Sequence, residues 1–155
     1  MSTKDITDQD LERSIPLAAK KNAEHRSIVR VGDVEFGGDR FVVIAGPCAV
    51  ETREITVDIA KQVKAAGATV MRGGVFKSLS VPYRRPGYDE IGNGGLEYLK
   101  ESKAATGLCS CTGVRDVRLV GLEASCADML QIGARNMQNF ALVSEVARTG
   151  KRVLL

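Results

Sequence analysis

The stretch from Asp128 to Leu155, DMLQIGARNMQNFALVSEVARTGKRVLL, contains a strand, a helix and a second strand in succession. Residues 128–132 form an apolar run that predicts a buried strand, and residues 136–148 carry a helical pattern. Gly150 stands where a left-handed residue is wanted to end that helix before RVLL, as Gly67 and Gly107 do after two earlier predicted helices. Runs that are apolar on both faces are typical of parallel strands covered by helices, so this stretch predicts a parallel α/β sheet.

The same alternation of strands and helices continues toward the N-terminus. The predicted strands lie at 41–45, 69–71 and 108–112, and the helices that follow them at 51–66, 95–105 and 115–124. Periodicity leaves two architectures open, a doubly wound sheet and a (β/α)8 TIM barrel. A complete barrel takes about 250 residues, whereas the fifth predicted strand here coincides with the end of a 155-residue sequence. We therefore expect an incomplete barrel of about the first five strands.

Two segments precede the first predicted barrel strand. Residues 1–27 contain few large apolar side chains and are predicted to form a polar N-terminal arm, and residues 28–155 form the truncated barrel domain. Apolar and polar residues alternate between Ser27 and Glu35, after which Gly37-Gly38 is predicted to turn the chain toward Phe41. This pattern predicts a short β-hairpin that caps one end of the barrel.

Composition excludes several classes of function. The formal charge is only +3 and the basic residues are scattered, which argues against a nucleic-acid surface. No apolar run approaches the length of about 18 residues that a membrane span requires. The four cysteines lie in apolar segments of a chain that begins without a secretory leader, which favours reduced thiols. We expect a cytoplasmic protein.

Cationic side chains follow three of the predicted strands. Arg72 and Lys77 come after the second strand and Arg135 after the fourth, each beside glycine residues. The carboxyl ends of parallel strands share one edge of the sheet, so these three side chains should face a common mouth. Arginine forks and backbone amides next to glycine suit phosphate and carboxylate groups. The pattern predicts a small, multiply anionic substrate; the alternative is that each arginine pairs with an acid at the rim.

The cysteines, the histidine and one lysine allow further interpretations. Cys48 could be a metal ligand, a nucleophile or a core residue, and the residue pattern alone favours packing. Cys109 and Cys111 share one strand face and are also interpreted as packing residues rather than zinc ligands. His25, the single histidine, lies in the polar arm and is assigned to the surface. Lys77 could form a Schiff base, but an anion contact is favoured among arginines.

Five motifs, taken in their order along the chain, resemble DAHP (3-deoxy-D-arabino-heptulosonate 7-phosphate) synthase, most closely the type I beta kind. They are AGPCAVE at 45–51, MRGGVFK at 71–77, PYRRPG at 82–87, GLEYLKE at 95–101 and QIGARNMQNF at 131–140. The related 3-deoxy-octulosonate 8-phosphate synthases share the general plan. The resemblance extends from about Val29 to Leu155 and favours the barrel over the doubly wound sheet.

The resemblance implies a metal-dependent transferase that joins phosphoenolpyruvate to erythrose 4-phosphate in the shikimate pathway of aromatic amino-acid synthesis. It implies a divalent metal (Mn, Fe, Co or Zn) that activates the acceptor aldehyde, so that C3 of phosphoenolpyruvate attacks it, water adds at C2 and phosphate leaves. The roles that it implies are Cys48 as metal ligand, Arg72 and Lys77 as catalytic residues, and Arg72, Lys77, Ser80, Ala134 and Arg135 as substrate-binding residues.

The sequence also departs from the family pattern. Ser78 to Val81 stand where the family has Pro-Arg-Thr-Ser, and Thr112-Gly113 stand where it has Thr-Glu. The family's other metal ligands and its second lysine would follow Leu155. We therefore expect no synthase activity from residues 1–155 alone, and self-association through an open sheet edge. A non-catalytic remnant or assembly module, and a 3-deoxy-octulosonate 8-phosphate synthase, are the alternatives.

Overall fold

The computed structural model describes residues 7–77 and 92–155. Its elements in chain order are α1 (Asp8–Ser14), β1 (Val29–Val31), β2 (Val34–Phe36), β3 (Ile44–Ala45), α2 (Arg53–Ala65), β4 (Val70–Arg72), α3 (Gly92–Thr106), β5 (Cys109–Val114), α4 (Val120–Cys126), β6 (Met129–Ile132), α5 (Phe140–Arg148) and β7 (Arg152–Leu154). A 3₁₀ turn at Ala134–Asn136 lies between β6 and α5. No helix of the described ranges has an apolar stretch long enough to cross a membrane.

Five parallel strands form the main sheet in the order β3-β4-β5-β6-β7. Each strand therefore lies beside its neighbour in sequence, as in a barrel, whereas a doubly wound sheet reverses its order part-way. A separate antiparallel pair, β1 with β2, precedes this sheet. The expected partial (β/α)8 barrel with a preceding hairpin is confirmed.

The two faces of the sheet have different partners. Met71 packs with Leu96 and Leu99 of α3, and Leu130 packs with residues of α4 and α5, so this face is covered by helices. Side chains alternate between faces along a strand. On the opposite, inner face, Val70, Cys111 and Met129 pack against Val31 of the hairpin, and the Cys109 thiol donates a hydrogen bond to the Val31 carbonyl over 3.2 Å.

The hairpin turns at a different place from the one expected. Val31 pairs with Val34, so the turn is the two-residue Gly32-Asp33 loop, in which Gly32 has a φ of +55°. Such a loop requires positive φ and matches the twist of paired strands. The hairpin turn precedes the predicted position because the alternating segment itself folds back, whereas Gly37-Gly38 form the expected turn and bend after β2, with a φ of +87° at Gly37. The hairpin does cap the inner face at one end, as predicted.

Three predicted element boundaries also move. The first barrel strand comprises only Ile44–Ala45, and Phe41 at the start of the predicted run is 92% exposed. The strand β5 continues to Val114, so the next helix begins at Val120 instead of residue 115. The helix α5 begins at Phe140 because the Asn139 side chain accepts a hydrogen bond from the Leu142 amide over 3.2 Å and caps it.

The predicted helix ends agree with the structure. Gly67, Gly107 and Gly150 have φ values of +94°, +73° and +69°. This left-handed conformation costs glycine little and ends each helix so that the chain can enter the following strand.

Candidate functional site

One cleft, of about 410 Å³, opens at the carboxyl ends of β4, β5 and β6. The described residues that line it are Arg72, Gly74, Phe76, Lys77, Gly113, Val114, Arg115, Gln131, Gly133, Ala134, Arg135 and Asn136. Active sites of parallel α/β sheets lie at this edge, because successive loops converge there.

The cleft brings together four of the residues that the sequence singled out. Arg72, Lys77, Ala134 and Arg135 all line it. Ser80, the fifth substrate-binding prediction, lies outside the described residues. Among the described residues, none of the ion pairs involves Arg72, Lys77 or Arg135. Pairing with a rim acid, the alternative explanation of these cations, therefore has no support in the described part of the chain.

Neutral acceptors hold Arg72 in position. Its Nε donates to Gln131 Oε1 over 3.3 Å, and its Nη1 donates to the Pro47 carbonyl over 3.2 Å. Strand pairing places Arg72 opposite Cys111 and Gly113 opposite Gln131, so the arginine crosses the sheet at a level where β5 carries no side chain. Because both acceptors are uncharged, the guanidinium keeps its positive charge for a ligand.

Glycine allows the ends of β3 and β4 to approach each other. A Cβ on Gly46 would lie 2.0 Å from the Arg72 carbonyl oxygen, and the φ of Gly46 is +148°. A Cβ on Gly74 would lie 2.8 Å from the Cys48 carbonyl oxygen. The AGPC and RGG motifs therefore have a steric role as well as a chemical one: they bring Cys48 next to the loop that carries Lys77.

The position of Cys48 corrects the packing interpretation. The residue is exposed and its thiol is reduced. Its interaction with Lys77, and to a lesser extent with Arg72, lowers the pKa of the thiol below its usual value, although some burial opposes this. The thiol lies beside the cations rather than in the core, because the strand ends three residues earlier, at Ala45. Cys109 and Cys111 do belong to a core cluster, as predicted.

Sequence reasoning missed Arg115. This residue lines the cleft, and its Nη1 donates to the Phe76 carbonyl over 2.9 Å. It was assigned to the start of a helix, but β5 continues to Val114 and places Arg115 directly after a strand. The rule that ligand-binding residues follow parallel strands would have found it, had the strand end been placed correctly. Gln131 was missed because it lies within a strand and not after one.

The cleft has a strongly positive character. Its described lining contains four cationic side chains, Arg72, Lys77, Arg115 and Arg135, and no acidic one. Concentrated charge of one sign in a concave site favours ligands of the opposite sign. The arrangement therefore suits a small molecule with phosphate or carboxylate groups.

The sequence profile of the family described as "DAHP synthetase I family" matches residues 15–155, which is most of the chain. The chain belongs to the DAHP synthetase I family. The resemblance inferred from the five motifs is thereby confirmed, and the match begins within the predicted N-terminal arm.

Similar proteins include two kinds of aldolase. The chain is 40% identical over 129 residues to a phospho-2-dehydro-3-deoxyheptonate aldolase of Thermotoga maritima, covering 83% of this chain and 37% of that protein. It is 36% identical over 127 residues to a 2-dehydro-3-deoxyphosphooctonate aldolase of Syntrophobacter fumaroxidans, covering 77% of this chain and 43% of that protein. The chain thus spans less than half the length of these curated relatives.

Solved structures of the DAHP synthetase I kind have the same fold. The crystal structure of the Thermotoga maritima DAHP synthase superposes with a TM-score of 0.75 at 38% identity, covering 84% of this chain and 37% of that one. A truncated form of the Thermotoga maritima enzyme gives a TM-score of 0.71 at 37% identity, covering 84% of this chain and 45% of that one.

The DAHP synthetase I family is generally metal-dependent. The described residues provide Cys48 as one donor, but no group of three or more histidine, cysteine, aspartate or glutamate side chains that could hold a metal ion. Metal sites with protein ligands usually need three or four such donors. Residues 7–77 and 92–155 therefore do not fit a metal centre by themselves.

Proposed function

We propose that this chain binds phosphoenolpyruvate in the cleft and forms the phosphoenolpyruvate-binding part of a DAHP-synthase-type transferase. The observation that carries the proposal is the convergence of Arg72, Lys77 and Arg135 on one concave site whose described lining contains no acid. The family binds phosphoenolpyruvate and erythrose 4-phosphate, and the first of these carries a phosphate and a carboxylate that match these cations.

Each side chain has a separate task in this proposal. The forks of Arg72 and Arg135 bind phosphate or carboxylate oxygens in pairs, the Ala134 region offers backbone to the ligand, and Lys77 supplies a compact charge. Fixing both anionic ends of phosphoenolpyruvate orients its C3 toward an acceptor aldehyde, which is a positioning contribution to an aldol-type condensation. Ser80 and Cys48 keep the substrate-binding and metal-ligand roles that the family resemblance implies for them.

Two related functions are the alternatives. A 3-deoxy-octulosonate 8-phosphate synthase role is favoured by similarity to 2-dehydro-3-deoxyphosphooctonate aldolases at 36% identity. A non-catalytic remnant or assembly module is favoured by Gly113, which lines the cleft where the family resemblance places glutamate. We also infer, from composition, a cytoplasmic location without nucleic-acid or membrane partners.

Replacing Arg72 or Arg135 by glutamine is expected to weaken phosphoenolpyruvate binding by roughly ten- to a hundredfold, as is usual when a charged hydrogen-bonding partner is lost. Isothermal titration calorimetry of the full chain measures this. Arg148→Gln is the matched control, because Arg148 pairs with Glu145 on α5 away from the cleft. Absence of saturable binding by the unsubstituted chain, or equal affinity in Arg135→Gln, would show that the proposal is wrong.

Purified residues 1–155 supplied with divalent metal are expected to form no condensation product. The reason is that Cys48 is the one metal ligand that the family resemblance implies in this sequence, and the described residues contain no group of three metal-binding side chains. A coupled assay for phosphate release, with phosphoenolpyruvate and erythrose 4-phosphate, tests this. Any metal-dependent turnover above a boiled-protein control would contradict the expectation.

Self-association is expected at the edges of the sheet. In the described part of the chain β3 pairs only with β4, and β7 pairs only with β6, while Val153 and Leu155 are 39% and 71% exposed. Unpaired strand edges template pairing with another copy, and charged side chains suppress it. Sedimentation velocity should show concentration-dependent oligomers that Val153→Lys reduces. A monomer at all concentrations would refute an interface at these edges.

A further inference from the structure

We propose that Arg115 is a further ligand-binding residue of the cleft, and that it makes the cleft select ligands with two separated anionic groups over a single phosphate. This inference rests on the proposed function and names a specificity determinant for it. Three observations carry it: the tether between Arg115 and Phe76, the spread of cations over three strand ends, and the missing side chain at Gly113.

The first observation is the orientation of Arg115. Its Nη1 donates to the carbonyl of Phe76, the residue before Lys77, over 2.9 Å. Within residues 7–77 and 92–155 this is its one hydrogen bond to the protein, so the remaining N–H donors of the guanidinium are available to a ligand. The tether holds the Arg115 side chain against the loop that carries Lys77.

The charges around Arg115 leave its own charge available. Asp116 pairs with Arg118, and this pairing lowers the pKa of the Asp116 carboxyl to about 2. Burial raises the pKa of Glu123 to about 8, so its carboxyl is mostly neutral at pH 7. Among the described residues, neither acid forms an ion pair with the Arg115 guanidinium.

The second observation is the width of the cationic array. Arg72 and Lys77 belong to the end of β4, Arg115 to the end of β5 and Arg135 to the turn after β6. Neighbouring strands lie about 4.8 Å apart, so the ends of β4 and β6 are separated by roughly 10 Å. Arg115 is held at the Phe76 carbonyl on the β4 side and Arg135 follows β6, while Arg72 reaches across to Gln131, so cations stand on both sides of the cleft. A ligand that carries a phosphate and a second anionic group can contact cations on both sides, whereas a single phosphate needs only one of them.

The third observation is the empty position at Gly113. This residue faces the cleft between Arg72 on β4 and Gln131 on β6. A Cβ built there meets only the Gln131 carbonyl oxygen, at 3.9 Å, among its described neighbours. The backbone therefore has room for a Cβ at this position, and a glutamate there would place a negative charge among the cations. Glycine at 113 together with arginine at 115 makes the cleft more positive than a site with an acid at 113.

Calorimetric titration of the full chain with phosphoenolpyruvate and, separately, with inorganic phosphate tests this inference. Arg115→Gln is expected to weaken phosphoenolpyruvate binding about tenfold, the loss typical of a charged hydrogen bond, while changing phosphate affinity less than twofold. Arg115→Lys should recover part of the loss because it retains the charge. Arg148→Gln, which removes a cation that pairs with Glu145 on α5 outside the cleft lining, should bind both ligands like the unsubstituted chain.

Substitution at 113 gives an independent test. Gly113→Glu should weaken phosphoenolpyruvate binding at least as much as Arg115→Gln, and the uncharged Gly113→Gln should weaken it less. If Gly113→Glu and Gly113→Gln weaken binding equally, the size of the new side chain and not its charge causes the loss. The electrostatic part of this inference would then be wrong. If Arg72→Gln abolishes binding but Arg115→Gln does not alter it, this inference alone is wrong. If the unsubstituted chain fails to bind phosphoenolpyruvate, the proposed function is wrong as well.

Discussion

Replacing Gly46 by alanine is expected to lower the free energy of unfolding by on the order of 4 kcal/mol, within the range of severe single substitutions. The added Cβ would lie 2.0 Å from the Arg72 carbonyl oxygen and 3.0 Å from its carbonyl carbon. These are backbone atoms, held by the pairing of β3 with β4, so no side-chain rotation relieves the clash. The φ of +148° adds strain for any residue with a Cβ. Urea denaturation followed by circular dichroism measures the change.

Gly121→Ala provides the matched control for this substitution. Gly121 lies inside α4, and a Cβ there meets no described atom within 4 Å. Alanine favours a helix interior over glycine by about 0.5–1 kcal/mol, so this substitution should stabilise the protein slightly. If the free energy of unfolding of Gly46→Ala lies within about 1 kcal/mol of that of the unsubstituted chain, the loss is that of an ordinary substitution. This result would show that β3 and β4 can move apart without loss of stability.

Replacing Glu123 by leucine is expected to stabilise the fold, most strongly above pH 8. Glu123 is fully buried on α4, and among the described residues neither carboxyl oxygen has a hydrogen-bond partner. Burial raises the pKa of this carboxyl from 4.5 to about 8. The folded state therefore holds a proton that the unfolded state releases, and stability falls as pH rises from about 4.5 through 8. The raised pKa corresponds to a loss of free energy of unfolding on the order of 4 kcal/mol by the top of this pH range.

The free energy of unfolding, measured by urea titration at several pH values between 5.5 and 8.5, tests this expectation. The unsubstituted chain should lose stability across the range, and Glu123→Leu and Glu123→Gln should show a much smaller slope. Glu97→Gln is the control, since Glu97 is exposed and pairs with Lys100. Identical slopes in the unsubstituted chain and in Glu123→Leu would mean that the carboxyl is solvated or paired in solution.

The order of strands and helices could be predicted because it depends on patterns within short segments. Apolar runs and glycine helix stops are visible without tertiary information, and Gly67, Gly107 and Gly150 all adopt the expected left-handed conformation. The helix α2 shows where this reasoning ends. The large apolar Ile55 is 48% exposed, whereas the smaller Thr56 and Ala60 are fully buried. The face of α2 that packs against α3 and the sheet favours small residues. A single sequence does not reveal that α3 is the neighbour of this face.

The site was predictable as far as it follows strand ends. Arg72, Lys77 and Arg135 each come soon after an apolar run, and parallel topology alone brings them to one cleft. Arg115 was missed because the end of β5 was placed two residues early, at Thr112. The lowered pKa of Cys48 also depends on tertiary structure, since Lys77 and Arg72 are distant from it in sequence. Distances between side chains on different loops have no local sequence signal.

The hairpin has a consequence for ligand exchange. Val31, Val34 and Phe36 pack with Val70, Cys111 and Met129 on the inner face of the sheet. Tightly packed apolar side chains leave little passage for a hydrated anion. In the described part of the chain, small charged molecules therefore do not pass along the face beneath the hairpin, and they reach the cations through the cleft at the strand ends.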